Sequence, residues 1–420
     1  MKPLFKQIFS LCLAVILLAG FEAAFAQDGT DSFITISGMV KDSKTHDPVA
    51  FASVSVPATD IGTVTNSEGE FSLKINKTLN AEFIEIAHLS FTNKKFKIAE
   101  SLGDDRVFYL EQHVFLLTGI SIRPKEPKDI VLMALKSIKK NYSEDPNMMT
   151  GFYRESIRQR RDYLSISEAV VDIHKAGYSG LQGSDQVRIS KGRKGNNVKK
   201  ADTLMVQLQG GPNVLMLLDV VKNTDLSIGL DNLDNYTFEL NTIVNIDDQP
   251  NYVISFSPNV VKTDPLYYGK LYINQESLAI TRAEFSLDIS DEDKASRQFV
   301  QRKPSGLIFM PTSTSYLVTY KENKGKYYLN YVRIELKFRC DWKKKWFRNY
   351  YTIVSEVAIT DRHEDNIVKF ANQELFKSHM ILADKIQFLG GDNYWGAYNI
   401  IEPEESIQNA YKKFTKGLKK

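Results

Sequence analysis

The second half of this chain alternates residue by residue. In Val332-Arg333-Ile334-Glu335-Leu336-Lys337-Phe338-Arg339-Cys340, every second position is apolar and every intervening one is charged. Ala283, Phe285, Leu287 and Ile289 alternate with Arg282, Glu284, Ser286 and Asp288, and Tyr351, Ile353, Val357 and Ile359 continue the scheme. Successive side chains of a strand point to opposite faces. One apolar and one charged face per strand therefore predicts an antiparallel sheet covered on a single side. Glu322-Asn323-Lys324-Gly325 supplies a hairpin turn between strands at 316–320 and 327–339. Ahead of the sheet, Pro127 opens a helix predicted near 127–141, with Ile130, Val131, Ala134, Leu135 and Ile138 on one face to cover part of it.

The front of the chain is also period-two, in shorter pieces. Phe33 to Val40 alternates, Val49 to Val56 reads as a second strand, and Asn66-Ser67-Glu68-Gly69 is a tight turn leading into Glu70-Phe71-Ser72-Leu73. Further strands are expected at 83–87, 95–98 and 107–110. Six or seven short strands with turn signals between them predict a β-sandwich. The fold class is thus mainly β: a seven-stranded front sandwich, then a larger curved antiparallel sheet with a few helices. The expected division is 1–26, 27–123 and 124–420.

Residues 1–26 read as an export signal. Lys2 and Lys6 precede the apolar stretch 8–20, and Ala24-Phe25-Ala26 before Gln27 supplies small residues for cleavage between Ala26 and Gln27. The apolar stretch is shorter than the roughly 20 residues needed to span a bilayer, so no transmembrane segment is expected in the mature chain. Cleavage would leave Cys340 without a disulfide partner, and stability would rest on burial. With 54 basic and 51 acidic residues and a net charge of +3, no global field gathers nucleic acid.

The strings Ile36-Ser37-Gly38-Met39-Val40-Lys41-Asp42, Pro48-Val49-Ala50-Phe51-Ala52-Ser53-Val54 and Gly62 to Phe71 resemble the carboxypeptidase-regulatory-like domain. This is a transthyretin-like sandwich found in exported Bacteroidetes proteins, and the resemblance implies a fold without catalysis. No His in the chain begins a His-x-x-Glu zinc pattern. The segment from Leu266 to Phe285 is similar to the strand–turn–strand of outer-membrane lipoprotein carriers. That likeness implies a half-barrel that holds acyl chains.

Catalytic spacings are missing: no Gly-x-Ser-x-Gly, no phosphate loop, no His-Glu-x-x-His and no Cys pair. No enzyme, cofactor or metal is expected. Candidate ligand contacts are Trp342, Lys344, Trp346 and Tyr351, where interleaved aromatic and basic side chains suit lipid headgroups or a membrane interface. The plainer alternative is a solvated hairpin tip. Gly210 and Gly211, ahead of apolar Val214 to Leu218, either turn the chain into a buried element or gate an apolar pocket. Arg188, Lys191, Arg193, Lys194, Lys199 and Lys200 are expected in an exposed basic loop.

The functional expectation is a non-catalytic binding protein of the cell envelope, in the periplasm or at the inner face of the outer membrane. Its partner is an envelope lipid or an outer-membrane protein. The alternatives are a structural adaptor of an outer-membrane machine, and a glycan or peptide hydrolase.

Overall fold

The computed structural model describes residues 32–103, 106–113, 126–178, 183–196, 210–223, 228–299, 306–342, 348–388 and 394–418. The expected cleavage point at Ala26 and Gln27 lies outside them. Seven strands form the front: β1 (Phe33–Asp42), β2 (Ser53–Ser55), β3 (Gly62–Val64), β4 (Glu70–Asn76), β5 (Phe83–His88), β6 (Phe91–Lys97) and β7 (Arg106–Leu110). They make two sheets, ordered β4-β1-β7 and β3-β2-β5-β6. Between them lie Ile36, Val40, Val54, Phe71, Leu73, Ile84, Ile86 and Phe108, the inward-facing set that alternation predicts. In the turn before β4, the Asn66 side chain accepts from the backbone N–H of Glu68 at 3.0 Å and Glu70 at 2.9 Å. Gly69 takes the left-handed φ of 79° there.

The stretch 49–56 departs from expectation, because only Ser53–Ser55 is strand. Thr65 Oγ1 donates to Val49 O and accepts from Ala52 N, so a side chain takes two of the bonds there, beside the backbone bonds of Phe51 N–H to Thr65 O and Thr65 N–H to Ala52 O. Phe51, at φ 58°, swings out of the sandwich.

The remaining strands build one sheet. They are β8 (Asn147–Gln159), β9 (Asp162–Lys175), β10 (Gln186–Asn196), β11 (Tyr236–Ile246), β12 (Gln249–Pro258), β13 (Tyr267–Asn274), β14 (Ile280–Leu287), β15 (Leu307–Asn323), β16 (Lys326–Trp342), β17 (Tyr350–His363) and the short β18 (Gln387–Phe388). Their order is β11-β12-β13-β14-β15-β16-β17-β8-β9-β10-β18, antiparallel throughout except for the β10–β18 edge. Among the described residues six α-helices accompany the strands: α1 (Ile98–Ser101), α2 (Pro127–Lys136), α3 (Ile138–Asn141), α4 (Gly211–Leu217), α5 (Glu292–Phe299) and α6 (Glu405–Leu418). The helix expected near 127–141 is split at Ser137, whose ψ of 2° ends α2. The expected basic loop is β10 as far as Asn196, while Lys199 and Lys200 lie outside the described residues. Arg188 pairs with Asp172 and Glu374, and Arg193 pairs with Glu168.

The sheet is bent into a trough. Helix α4, about 10 Å long, touches β16 and β17 on one side and β10 on the other. Across a flat sheet the strands from β16 to β10 would span about 19 Å. The inner face of the trough carries the apolar parity of each strand.

The outer face carries the charged parity, in register. Arg333, Glu356, Arg154, Glu168 and Arg193 are consecutive cross-strand partners on β16, β17, β8, β9 and β10. Arg154 Nε meets Glu168 Oε1 at 2.8 Å and Arg193 Nε meets Glu168 Oε2 at 2.7 Å, while Arg333 reaches Glu356 at 3.2 Å. Burial alone would raise the pKa of Glu168, but Arg154 and Arg193 outweigh it and hold the carboxyl below its usual range. The chain from Tyr394 to Glu404 lies over this row, where Arg154 Nη2 donates to Ile401 O at 2.6 Å and Trp395 packs edge-on against Phe152.

The front sandwich sits on the same face. Phe51 stacks on Tyr331 with Arg333 against its ring. Thr63 Oγ1 donates to Ile400 O at 2.7 Å, and Arg362 pairs with Asp60 at 3.0 Å. No helix among the described residues is long and apolar enough to cross a membrane.

Truncating Arg154 would leave Glu168 and Glu356 short of a buried partner, a change that costs about 3–5 kcal/mol. Arg154→Ala is expected to lower unfolding free energy in urea by that amount. Truncation of the exposed Lys97 should shift it by less than about 0.5 kcal/mol.

Candidate functional site

The inner face divides into two apolar clusters. The larger one is filled by the protein's own chain. Ile130, Val131 and Ala134 of α2 and Leu215 and Met216 of α4 pack onto side chains of β8–β17. A buried charged cluster fixes α4 there. Lys175, at the end of β9, has none of its side chain exposed; its Nζ lies 2.6 Å from Asp219 and 2.8 Å from Asp185. Lys222 also pairs with Asp185. Tyr178 and Tyr320 donate to the two oxygens of Asp219 at 2.8 Å and 2.7 Å.

Burial would lower the pKa of Lys175, but Asp185 and Asp219 outweigh it and raise it. The same balance holds Asp185 below its ordinary value, with Lys175 and Lys222 opposing burial. Burial, reinforced by Asp219, keeps both tyrosines protonated far above the usual phenol range. Every charge in this clamp is matched, and the clamp spans from β9 through the segment after α4 to β15.

The smaller cluster lies at the other end of the trough. Ile157, Leu164, Phe309, Leu336, Phe338 and Ile353 form it, with Leu307 and Cys340. They come from β8, β9, β15, β16 and β17, whose apolar parities converge there. Phe338 stacks between Phe309 and Tyr351, with centroids at 4.8 Å and 5.5 Å. Burial raises the Cys340 thiol, which makes it a poor nucleophile. Among the described residues the helix over this cluster is α5. It is held by Phe299 against Phe309, by buried Ala295, and by Ser296 Oγ donating to Phe309 O at 2.8 Å. An eight-residue helix with so few apolar anchors has little stability of its own.

Between the clusters runs a polar row. Ser355, Glu155 and Ser167 are cross-strand partners on β17, β8 and β9, on the parity that is otherwise apolar. Glu155 is 6% exposed and accepts from Tyr153 Oη at 2.8 Å. Burial pushes its carboxyl up to about 7, against small opposing effects of Tyr153 and Ser167.

Of the residues singled out from sequence, Tyr351 belongs to the smaller cluster. Trp342 ends β16 at the same end of the sheet, paired with Leu307. Lys344 and Trp346 lie outside the described residues. Gly210 and Gly211 begin α4 in the filled half, both in left-handed backbone at φ 86° and 39°. A Cβ on Gly211 would press on the Phe376 ring at 3.0 Å. The structure therefore does not bring the glycines together with the aromatic residues. No group of three metal-ligating side chains occurs among the described residues.

Comparison with known proteins adds one assignment. Residues 36–118 match the CarboxypepD_reg-like domain. The match falls on the front sandwich and stops short of the trough. No curated protein matches the chain. Among solved structures, the chain is similar to an outer membrane lipoprotein-sorting protein domain from Vibrio parahaemolyticus. Identity is 9%, coverage is 58% of this chain and 94% of that one, and the TM-score is 0.26. A DUF1329 family protein from Desulfovibrio piger gives 12% identity, 60% and 100% coverage and a TM-score of 0.25. MucB in complex with MucA(peri) gives 12%, 55% and 94%, and 0.16. At these TM-scores none of the three bears on what the trough binds.

The folded protein holds the Glu155 proton more tightly than the unfolded chain does. The resulting penalty is absent below the ordinary glutamate pKa of 4.5 and grows as pH rises toward about 7. Glu155→Gln should therefore be more stable than the wild type at pH 8, by about 3 kcal/mol. The difference should vanish below pH 4.5, as read by urea unfolding at each pH.

Proposed function

We propose that this is a non-catalytic binding protein of the cell envelope that holds an acyl chain in the smaller apolar cluster of the trough. The observation that carries the reading is the unequal covering of one continuous apolar face. One half is packed by α2 and α4 and locked by matched buried charges. The other half, lined by Leu336, Phe338, Phe309 and Ile353, lies under α5, whose anchors on that half among the described residues are Phe299, Ala295 and Ser296. An apolar ligand displaces the cover that costs least to move, and burial of its methylenes against this lining supplies about 0.8 kcal/mol for each. The signal-like sequence at 1–26 supports export, and the sandwich on the outer face leaves the trough unobstructed.

A second reading, a structural adaptor, is favoured by a different element. Strand β11 stands at the edge of the sheet, pairs with β12 alone, and has Glu239 as the one charge in eleven residues. Natural edges are usually blunted by charge or proline, and such an edge accepts an added strand. The clamp is no candidate for hydrolysis, because its carboxylates and ammonium groups are all engaged with one another.

A dansyl-labelled undecanoic acid titrated into the purified protein should bind saturably at one site. Leu336→Asp should weaken that binding at least tenfold. Leu217→Asp, exposed on α4, should leave it unchanged. Ala295→Glu, which disturbs α5 but no strand, should accelerate association and covers the case in which Leu336→Asp fails to fold. Absence of saturable binding by the wild type, or indifference of binding to both cluster variants, would contradict the acyl reading.

A further inference from the structure

The acyl reading leaves the polar row unexplained, and the inference that follows rests on that reading. Every other deeply buried carboxylate in the large sheet has a structural task. Glu168 is gripped by Arg154, Arg193 and Tyr411, and Asp219 by Lys175 and two tyrosines. Glu155 differs. Among the described residues no cation pairs with it, and Arg154, its chain neighbour, points to the opposite face. Its one hydrogen bond of ordinary geometry comes from Tyr153, whereas two carboxyl oxygens offer about four acceptor positions.

Its neighbour across the strands is incomplete as well. Ser167 is fully buried, and its Oγ makes no hydrogen bond of ordinary geometry among the described residues, its one polar neighbour being the Glu155 carboxyl itself. Groups left in this state are expensive in a packed interior. They lie on the inner face, with Tyr153, Ala169 and Val357 of the filled half on one side and Ile157, Leu164 and Ile353 on the other. A chain lying in the smaller cluster would end at, or cross, this row.

We propose that the Ser355–Glu155–Ser167 row recognises a hydrogen-bond donor, a hydroxyl or amide N–H, carried on an otherwise apolar chain. The donor satisfies a free oxygen of Glu155, and its own oxygen or carbonyl accepts from Ser167. An acidic group at this point would repel Glu155 and strand its own charge. An ammonium would lose more hydration than a neutral donor on entering between two apolar clusters. The site thus selects hydroxylated or amide-linked acyl compounds over plain ones of the same length.

The test is competition against the dansyl probe by a matched pair, methyl myristate and methyl 3-hydroxymyristate. The wild type should bind the hydroxylated ester more tightly, by on the order of tenfold. Glu155→Leu should bind both esters equally while retaining the affinity for the plain one, and Ser167→Ala should reduce the preference. Ser167→Ala removes a single atom from a buried site, so it keeps the test informative if Glu155→Leu fails to fold. Equal affinity of the wild type for the two esters, or a preference that survives both variants, would overturn the inference and leave the acyl reading standing. Failure of both esters to displace the probe would remove the acyl reading, and this inference with it.

Discussion

Lys175 can keep its charge inside the trough only because two aspartates meet it there. An ammonium without such partners would lose several kcal/mol of hydration or shed its proton. Here the attraction of Asp185 and Asp219 exceeds the burial penalty. The consequence is architectural. Asp219 belongs to the crossing segment between β10 and β11, the two strands that stand far apart in the sheet order. Fixing it between Tyr178 and Tyr320 holds residues 210–223 of that connection in the trough, with α4 filling one half. Over the other half the described cover is α5, and among the described residues no buried charged clamp of this kind holds it there.

The same economy of matched charge operates on the outer face, with a different result. The five-residue row from Arg333 to Arg193 would be a band of mobile surface ion pairs if left in water, worth little to stability. Covered by residues 394–404 and the front sandwich, it becomes a buried network whose loss is costly. The sandwich is therefore seated on the large sheet through Phe51, Thr63 and Asp60, with its own small core intact. Both faces of one sheet thus carry matched buried charge, and among the described residues the cover over the smaller apolar cluster is α5.

Much of this was legible in the sequence. Strict alternation in 332–340 and 282–289 gave the sheet, its antiparallel pairing and the identity of its apolar face, because strand geometry leaves a period-two pattern no other way to be buried. The Asn66–Gly69 turn was legible because only a few residues tolerate its backbone. Tyr351, singled out from sequence for its place among aromatics, packs against the smaller apolar cluster. The basic stretch after Arg188 misled, since its charges serve Asp172 and Glu168, which are 16 and 25 residues away in the chain. The stretch around Phe51 misled because the Thr65 hydroxyl, just after β3, takes the Val49 carbonyl and the Ala52 N–H there. The residues that organise the trough did leave a trace. Lys175 follows Ala169, Val171 and Ile173 on one parity, and Glu155 sits between Tyr153 and Ile157 on another. A charge on an apolar parity marks a buried partner or a buried vacancy, and sequence alone does not tell the two apart.

The account makes the two covers of the trough unequal in stability, and amide hydrogen exchange reads that inequality residue by residue. Exchange would be followed in the whole protein, with and without saturating dansyl-undecanoic acid. The account predicts that the amides of α4 and of residues 219–223 are slow in both states. It also predicts that the change on binding is confined to α5, which loses protection as the ligand displaces it, and to the ends of β15, β16 and β17 around Phe309, Phe338 and Ile353, which gain it. Binding-induced change centred on α4, with α5 unaffected, would contradict it, because the ligand would then occupy the half that the Lys175 clamp holds shut.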